Sequence, residues 1–172
     1  MEINDLVNKL NEVAKKEVYF GPQGFVVFSS EIELQKGQLG FSIDEHGASL
    51  SGTLEGDWKS EWTVIASDTE LGDPYFVDIN DANLAVYTAV DADGSWETEM
   101  VAISLPAFFQ CLTVLSDVST QESPQFVPDQ TSLTDPTQLK ELKEQLILIS
   151  SSDEFWSMFM ACYLDWLTED DY

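Results

Sequence analysis

Trp62-Thr63-Val64-Ile65-Ala66-Ser67-Asp68-Thr69-Glu70-Leu71-Gly72-Asp73-Pro74-Tyr75-Phe76-Val77-Asp78 is the stretch that decides the fold. Trp62, Val64 and Ala66 recur at every second position, the period of a half-buried strand. Gly72-Asp73-Pro74 is turn chemistry, and Tyr75 to Ile79 is again rich in strand formers. Strand, short turn and strand read as an antiparallel pair.

The pattern continues on both sides. Asn80-Asp81-Ala82-Asn83 is a turn, Leu84 to Val90 is β-rich, Asp91-Ala92-Asp93-Gly94 bends the chain, and Glu99 to Ile103 is the last expected strand. Upstream, Phe25 to Phe28 is a short β-prone run after the turn Gly21-Pro22-Gln23-Gly24. Strand-like pieces near 31–35, 38–43 and 47–54 are punctuated by glycines. Ile3, Leu6, Val7, Leu10 and Val13 repeat at helical spacing and predict a first helix over 4–17. Three helices are expected to close the chain. Ser104 with Pro106 starts one, and Asp135-Pro136 starts the next. A Ser151/Glu154 capping box starts the last, which carries Phe155, Trp156, Phe159, Tyr163, Trp166 and Leu167. That helix is apolar nearly all round, so it must be buried or dock on something. Residues 119–134, with Pro124, Pro128 and several Ser, Thr and Gln, read as a loop. The order predicts an α+β fold, one mainly antiparallel sheet with an N-terminal helix and C-terminal helices packed on it. A single domain over 1–172 is expected, with a helical extension from about 119.

Charge narrows the function. Seven lysines, no arginine and 32 acids give a net charge of −25 over 172 residues. Such a surface repels nucleic acid and anionic lipid and attracts cationic partners. The apolar fraction of 44% is ample for a core. The start, Met1-Glu2-Ile3-Asn4-Asp5, lacks the basic and apolar regions of a secretory signal, and no apolar run is long enough to span a bilayer. A cytoplasmic protein is expected. Cys111 and Cys162 lie in apolar, helix-like contexts and read as small buried hydrophobes.

Motifs for chemistry are sparse. His46, the only histidine, sits in a turn sequence and has no neighbouring nucleophile. Two separated cysteines and one histidine do not make a zinc site. Asp91-Ala92-Asp93-Gly94 resembles part of a calcium loop, but Ala89 and Met100 stand where the first and twelfth ligands would be. An Asp-Gly hairpin turn explains these residues better. No phosphate-binding glycine loop opens a helix. No cofactor, no metal and no catalysis are expected. Trp58, Trp62 and Trp96 are candidates for core packing or for anchoring a partner.

Residues 62–78, followed by Val86-Tyr87-Thr88-Ala89, the Asp93-Gly94-Ser95-Trp96 turn and Val101-Ala102-Ile103-Ser104-Leu105-Pro106-Ala107-Phe108-Phe109, resemble the central signature of the SUKH superfamily. The likeness covers about residues 60–112. It implies an α+β domain that, in many bacterial members, is an immunity protein binding and neutralising a cognate toxin, often a nuclease. A related fungal member is a regulatory interaction protein, which implies the alternative of an intracellular scaffold module. The expected partner is a basic protein toxin or another cationic protein. The candidate contacts are Asp57, Glu61, Asp68, Glu70, Asp73, Asp91, Asp93 and Glu97, with Trp58 and Trp96.

Overall fold

The computed structural model describes residues 1–169; Asp170 and Asp171 of the terminal acidic run Glu169-Asp170-Asp171 lie outside them. Six strands form one antiparallel sheet in chain order: β1 (Glu17–Phe20), β2 (Gln23–Val27), β3 (Trp62–Asp68), β4 (Pro74–Asp78), β5 (Val86–Ala92) and β6 (Ser95–Ala102). Five helices accompany it: α1 (Ile3–Leu10), α2 (Glu31–Gly37), α3 (Leu105–Val118), α4 (Pro136–Ser150) and α5 (Asp153–Thr168). The architecture is the expected α+β arrangement.

β3 organises the sheet. Val64 pairs with Phe76 and Ala66 with Tyr75, leaving Ile65 as an extra residue between them. Such a bulge breaks the alternation of faces. Ile65 and Ala66 both enter the main core, while Val64 belongs to a separate aromatic cluster. The Ile65 carbonyl accepts from Phe28 N–H at 2.9 Å, continuing the β2–β3 pairing.

The main core lies between the sheet and the C-terminal helices. Phe20 stacks on Tyr163 at 4.1 Å, and Phe25 meets Trp156 and Phe159. Trp156 donates its indole N–H to the Val101 carbonyl at 3.0 Å, fastening α5 to β6. On the opposite face Trp58 is 1% exposed. Its ring lies 4.8 to 5.4 Å from Phe41, Trp62, Phe76 and Trp96. Both faces of the central strands are therefore covered, one by helices and the other by the segment from 38 to 61.

Several expectations are corrected. The first helix ends at Leu10, because the Asn11 amide donates to the carbonyls of Val7 (2.8 Å) and Ser29 (2.9 Å) and turns the chain away. Glu17, expected to be helical, starts β1, whose Val18, Tyr19 and Phe20 are all buried. Residues 31–35 are helical. Ser30 accepts from Glu33 N–H, and Glu33 accepts from Ser30 N–H in return. This capping box outweighs the local alternation of acid and apolar residues. Segments 38–43 and 47–54 are loops carrying only the isolated bridges Leu39–Ile43 and Ile43–Ser49. Ser152, not Ser151, is the N-cap of α5, and Ser151 ends α4 in a left-handed conformation. The Ser152 hydroxyl is committed to the Met100 carbonyl at 2.6 Å and leaves the helix end without a side-chain cap. Cys111 is buried as expected, but Cys162 is exposed.

The strands keep their places but shift their bounds: β2 starts at Gln23, inside the expected turn, β5 starts at Val86 rather than Leu84, and β6 runs from Ser95 rather than Glu99. Ser104 and Asp135 cap α3 and α4 through their side chains. Asp93 and Gly94 both adopt positive φ in the two-residue β5–β6 turn, the conformation an Asp-Gly hairpin requires. Segment 119–134 contains no helix or strand, yet it is tied down at several points. Gln121 brackets the Gly21 backbone, and Tyr163 and Trp166 donate to the carbonyls of Leu133 and Phe126.

Truncating a ring enclosed this completely leaves a cavity that the sheet cannot close. Trp58→Ala is expected to lower unfolding stability by about 3–5 kcal/mol in guanidinium titration, against about 0.5 kcal/mol or less for the exposed Leu148→Ala.

Candidate functional site: an acidic trough along α5

Asp68 and Glu70 bracket the end of β3, Asp73 precedes β4, and α5 passes in front of them. The Ile65 bulge puts Asp68 on the α5 side of the sheet, in phase with Ala66. Asp68 Oδ2 accepts from Leu71 N–H at 2.8 Å, which shapes the turn and leaves the Leu71 side chain 79% exposed. Asp73, which could have capped this turn, leaves that role to Asp68. On β5, Thr88 and Val90 point to the same side, and on β6 Glu99 does. Gln23, at the start of β2, donates to the Phe159 carbonyl at 3.1 Å and closes the floor.

The result is a hollow of about 350 Å³. Tyr75, Phe155 and Phe159 floor it, and Asp68, Glu70, Asp73 and Glu99 surround it. A second hollow of about 280 Å³ shares Gln23, Glu70 and Cys162 with the first and extends to Phe126, Asp165, Trp166 and Glu169. Together they form a trough beside α5. Leu71, Val90 and Met158 leave large apolar surfaces in it, and Phe126 stands 82% exposed at the far end. Six acids line the two hollows and no lysine does.

The ionisable groups respond to one another. Burial first, then the Asp68 and Glu169 charges, pushes Glu70 above the ordinary 4.5. Burial and Asp68 raise Asp73 above 3.8. Burial and Glu154 raise Glu99. The Cys162 thiol is raised by burial and by Glu70 and Asp165, so it is a poor nucleophile. Each shift favours the neutral form, as expected where like charges share an apolar setting with no counter-ion. The ion pairs among the described residues, His46–Glu45 and Lys140–Glu144, are elsewhere and on the surface.

The candidate residues divide. Asp68, Glu70 and Asp73 meet in the trough. Glu97 pairs with Val90 and stands on the same side, beyond the lining. Asp57 and Asp91 are engaged in their own turns, accepting from Leu54 N–H and Gly94 N–H, while Glu61 accepts from the Ser60 hydroxyl. Asp93 is exposed in the hairpin turn. Trp96 is half-buried at the edge of the aromatic cluster, with its backbone N–H on the Gly56 carbonyl at 2.8 Å. Trp58 is enclosed and presents no ring to a partner. The acids gathered around the two hollows therefore lie beside α5, away from the tryptophan-bearing turns.

Glu99, Leu71, Val90, Met158, Asp165 and Glu169 were not singled out as site residues from sequence, and Phe155 was read only as part of the apolar last helix. The usable signal was α5 itself. Its apolar surface exceeds what one buried stripe needs, and the excess at Met158 and Phe155 faces the trough. Among the described residues no group of three or more His, Cys, Asp or Glu is gathered closely enough to hold a metal ion. None of their helices is long and apolar enough to cross a membrane. No model of a known family, no curated protein and no solved structure matches this chain.

A carboxyl raised by folding binds its proton more tightly in the folded state. Its ionisation therefore weakens the fold as pH rises through the window between the unfolded and folded values. Glu33, lowered by hydrogen bonds from Ser29 and Ser30, contributes stability that is lost as pH falls through its depressed value. The melting temperature is thus expected to rise on mild acidification from neutral pH toward the ordinary carboxylate range and to fall once pH drops below that range. Glu70→Gln should flatten the rise in scanning calorimetry.

Proposed function

We propose that this chain is a non-enzymatic, cytoplasmic immunity protein that binds a basic toxin and neutralises it by occupying its cationic surface. The carrying observation is the trough, where six acids surround apolar side chains without a lysine among them. A nuclease toxin presents basic residues for phosphate, and a preorganised anionic surface can take the place of that phosphate. Binding would relieve the mutual repulsion of Asp68, Glu70 and Asp73. It would also cover Leu71, Val90 and Met158, so Coulombic and hydrophobic gains arise at one place. The resemblance of residues 60–112 to SUKH proteins supports the same reading.

Affinity purification from the native cell, with mass spectrometry of what is retained, supplies the partner. That partner is expected to be a strongly basic protein whose toxicity is silenced in the complex. Its association rate should fall by about tenfold or more between low salt and a few hundred millimolar. A neutral or acidic partner, or an association rate indifferent to salt, contradicts the proposal.

A further inference from the structure

We propose that the trough receives a single amphipathic basic helix of the partner, its apolar stripe on Leu71, Val90, Phe155 and Met158 and its lysines or arginines on the flanking acids. This rests on the cationic-partner reading above and adds the shape of the contacting element.

Three observations specify a helix. First, the trough follows α5. Phe155, Phe159, Cys162, Trp166 and Glu169 recur at helical spacing along it, a run of about 21 Å at 1.5 Å per residue. A partner helix of about four turns matches that length. Second, the surface exposed there is side chain. β3, β4 and β5 are interior strands with neighbours on both sides. The outer edge of β6 is occupied at both ends, by Gly56 on Trp96 N–H and by Ser152 on the Met100 carbonyl. A peptide adding as a strand would need an open row of backbone groups in the trough, whereas a helix docks by side chains alone. Third, charge and apolar surface occur together along the trough. Asp68, Glu70 and Asp73 come from the sheet side, and Asp165 and Glu169 from α5 and its C-terminal end, alongside the exposed Leu71, Val90 and Met158. A helix with one apolar stripe flanked by cations complements that arrangement.

The test uses the full chain and two synthetic peptides of about 14 residues, each with equal numbers of leucine and lysine. One places leucine at helical spacing and the other alternates leucine with lysine. Binding is measured by calorimetry at physiological ionic strength, and peptide helicity by circular dichroism. The helical pattern is expected to bind about tenfold or more tightly than the alternating one and to gain helicity on binding. Met158→Glu and Leu71→Glu, both at exposed positions that tolerate substitution, should each weaken it by about tenfold. Leu148→Glu, on α4, should leave it unchanged. Equal affinity for both peptides, or indifference to Met158→Glu and Leu71→Glu, overturns the helix inference and leaves the cationic-partner reading standing. If neither peptide binds even at low salt, both fall.

Discussion

One extra residue in β3 sets the sidedness of this molecule. Because Ile65 has no partner in β4, the strand switches phase between Val64 and Ala66. Before the bulge, Val64 packs with Trp58 and Phe76; after it, Ala66 joins the helical side and Asp68 follows. A strand with strict alternation would carry Ala66 and Asp68 to the aromatic face, away from α5. The carboxylate that adds to burial in raising both Glu70 and Asp73 is thus placed by a backbone irregularity.

The trough works against the fold that builds it. Like charges beside Tyr75, Phe155 and Met158 are an electrostatic cost when no cation is present, and exposed apolar groups add no burial. The main core supplies the compensation. Phe20, Phe25, Trp156, Phe159 and Tyr163 interlock across β1, β2 and α5, and hydrogen bonds from Trp156, Tyr163 and Trp166 fix the helix to its surroundings. α5 therefore has two faces, one securing the core and the other offered outward. Perturbed ionisation concentrated in a concave surface is what makes the trough the candidate site.

Much of the fold was legible, for local reasons. The β3–β4 pair, the Asp-Gly hairpin and the caps Ser104 and Asp135 depend on a few adjacent residues, so their signals survive in a single sequence. What was not legible depended on distant partners or on two signals in conflict. Glu31-Ile32-Glu33-Leu34 alternates like a strand, yet the Ser30–Glu33 capping box makes it a helix. Asn11 ends α1 through the Ser29 carbonyl, 18 positions along the chain. The bulge was hidden too, since Trp62, Val64 and Ala66 alternate in sequence while Ala66 faces the other way in space. For the site, total charge pointed to a cationic partner and turn chemistry supplied Asp68, Glu70 and Asp73. Their convergence with α5 residues more than eighty positions away could come only from the tertiary structure.

The measurement closest to the central claim is a carbon-detected NMR titration of Glu70, Asp73 and Glu99 in the native protein and in Asp68→Asn. All three are expected to titrate above their ordinary values in the native protein. Removing the Asp68 charge should bring Glu70 and Asp73 down while Glu99, raised by burial and then by Glu154, stays in place. Ordinary values in the native protein, or no response of Glu70 and Asp73 to the substitution, would contradict it.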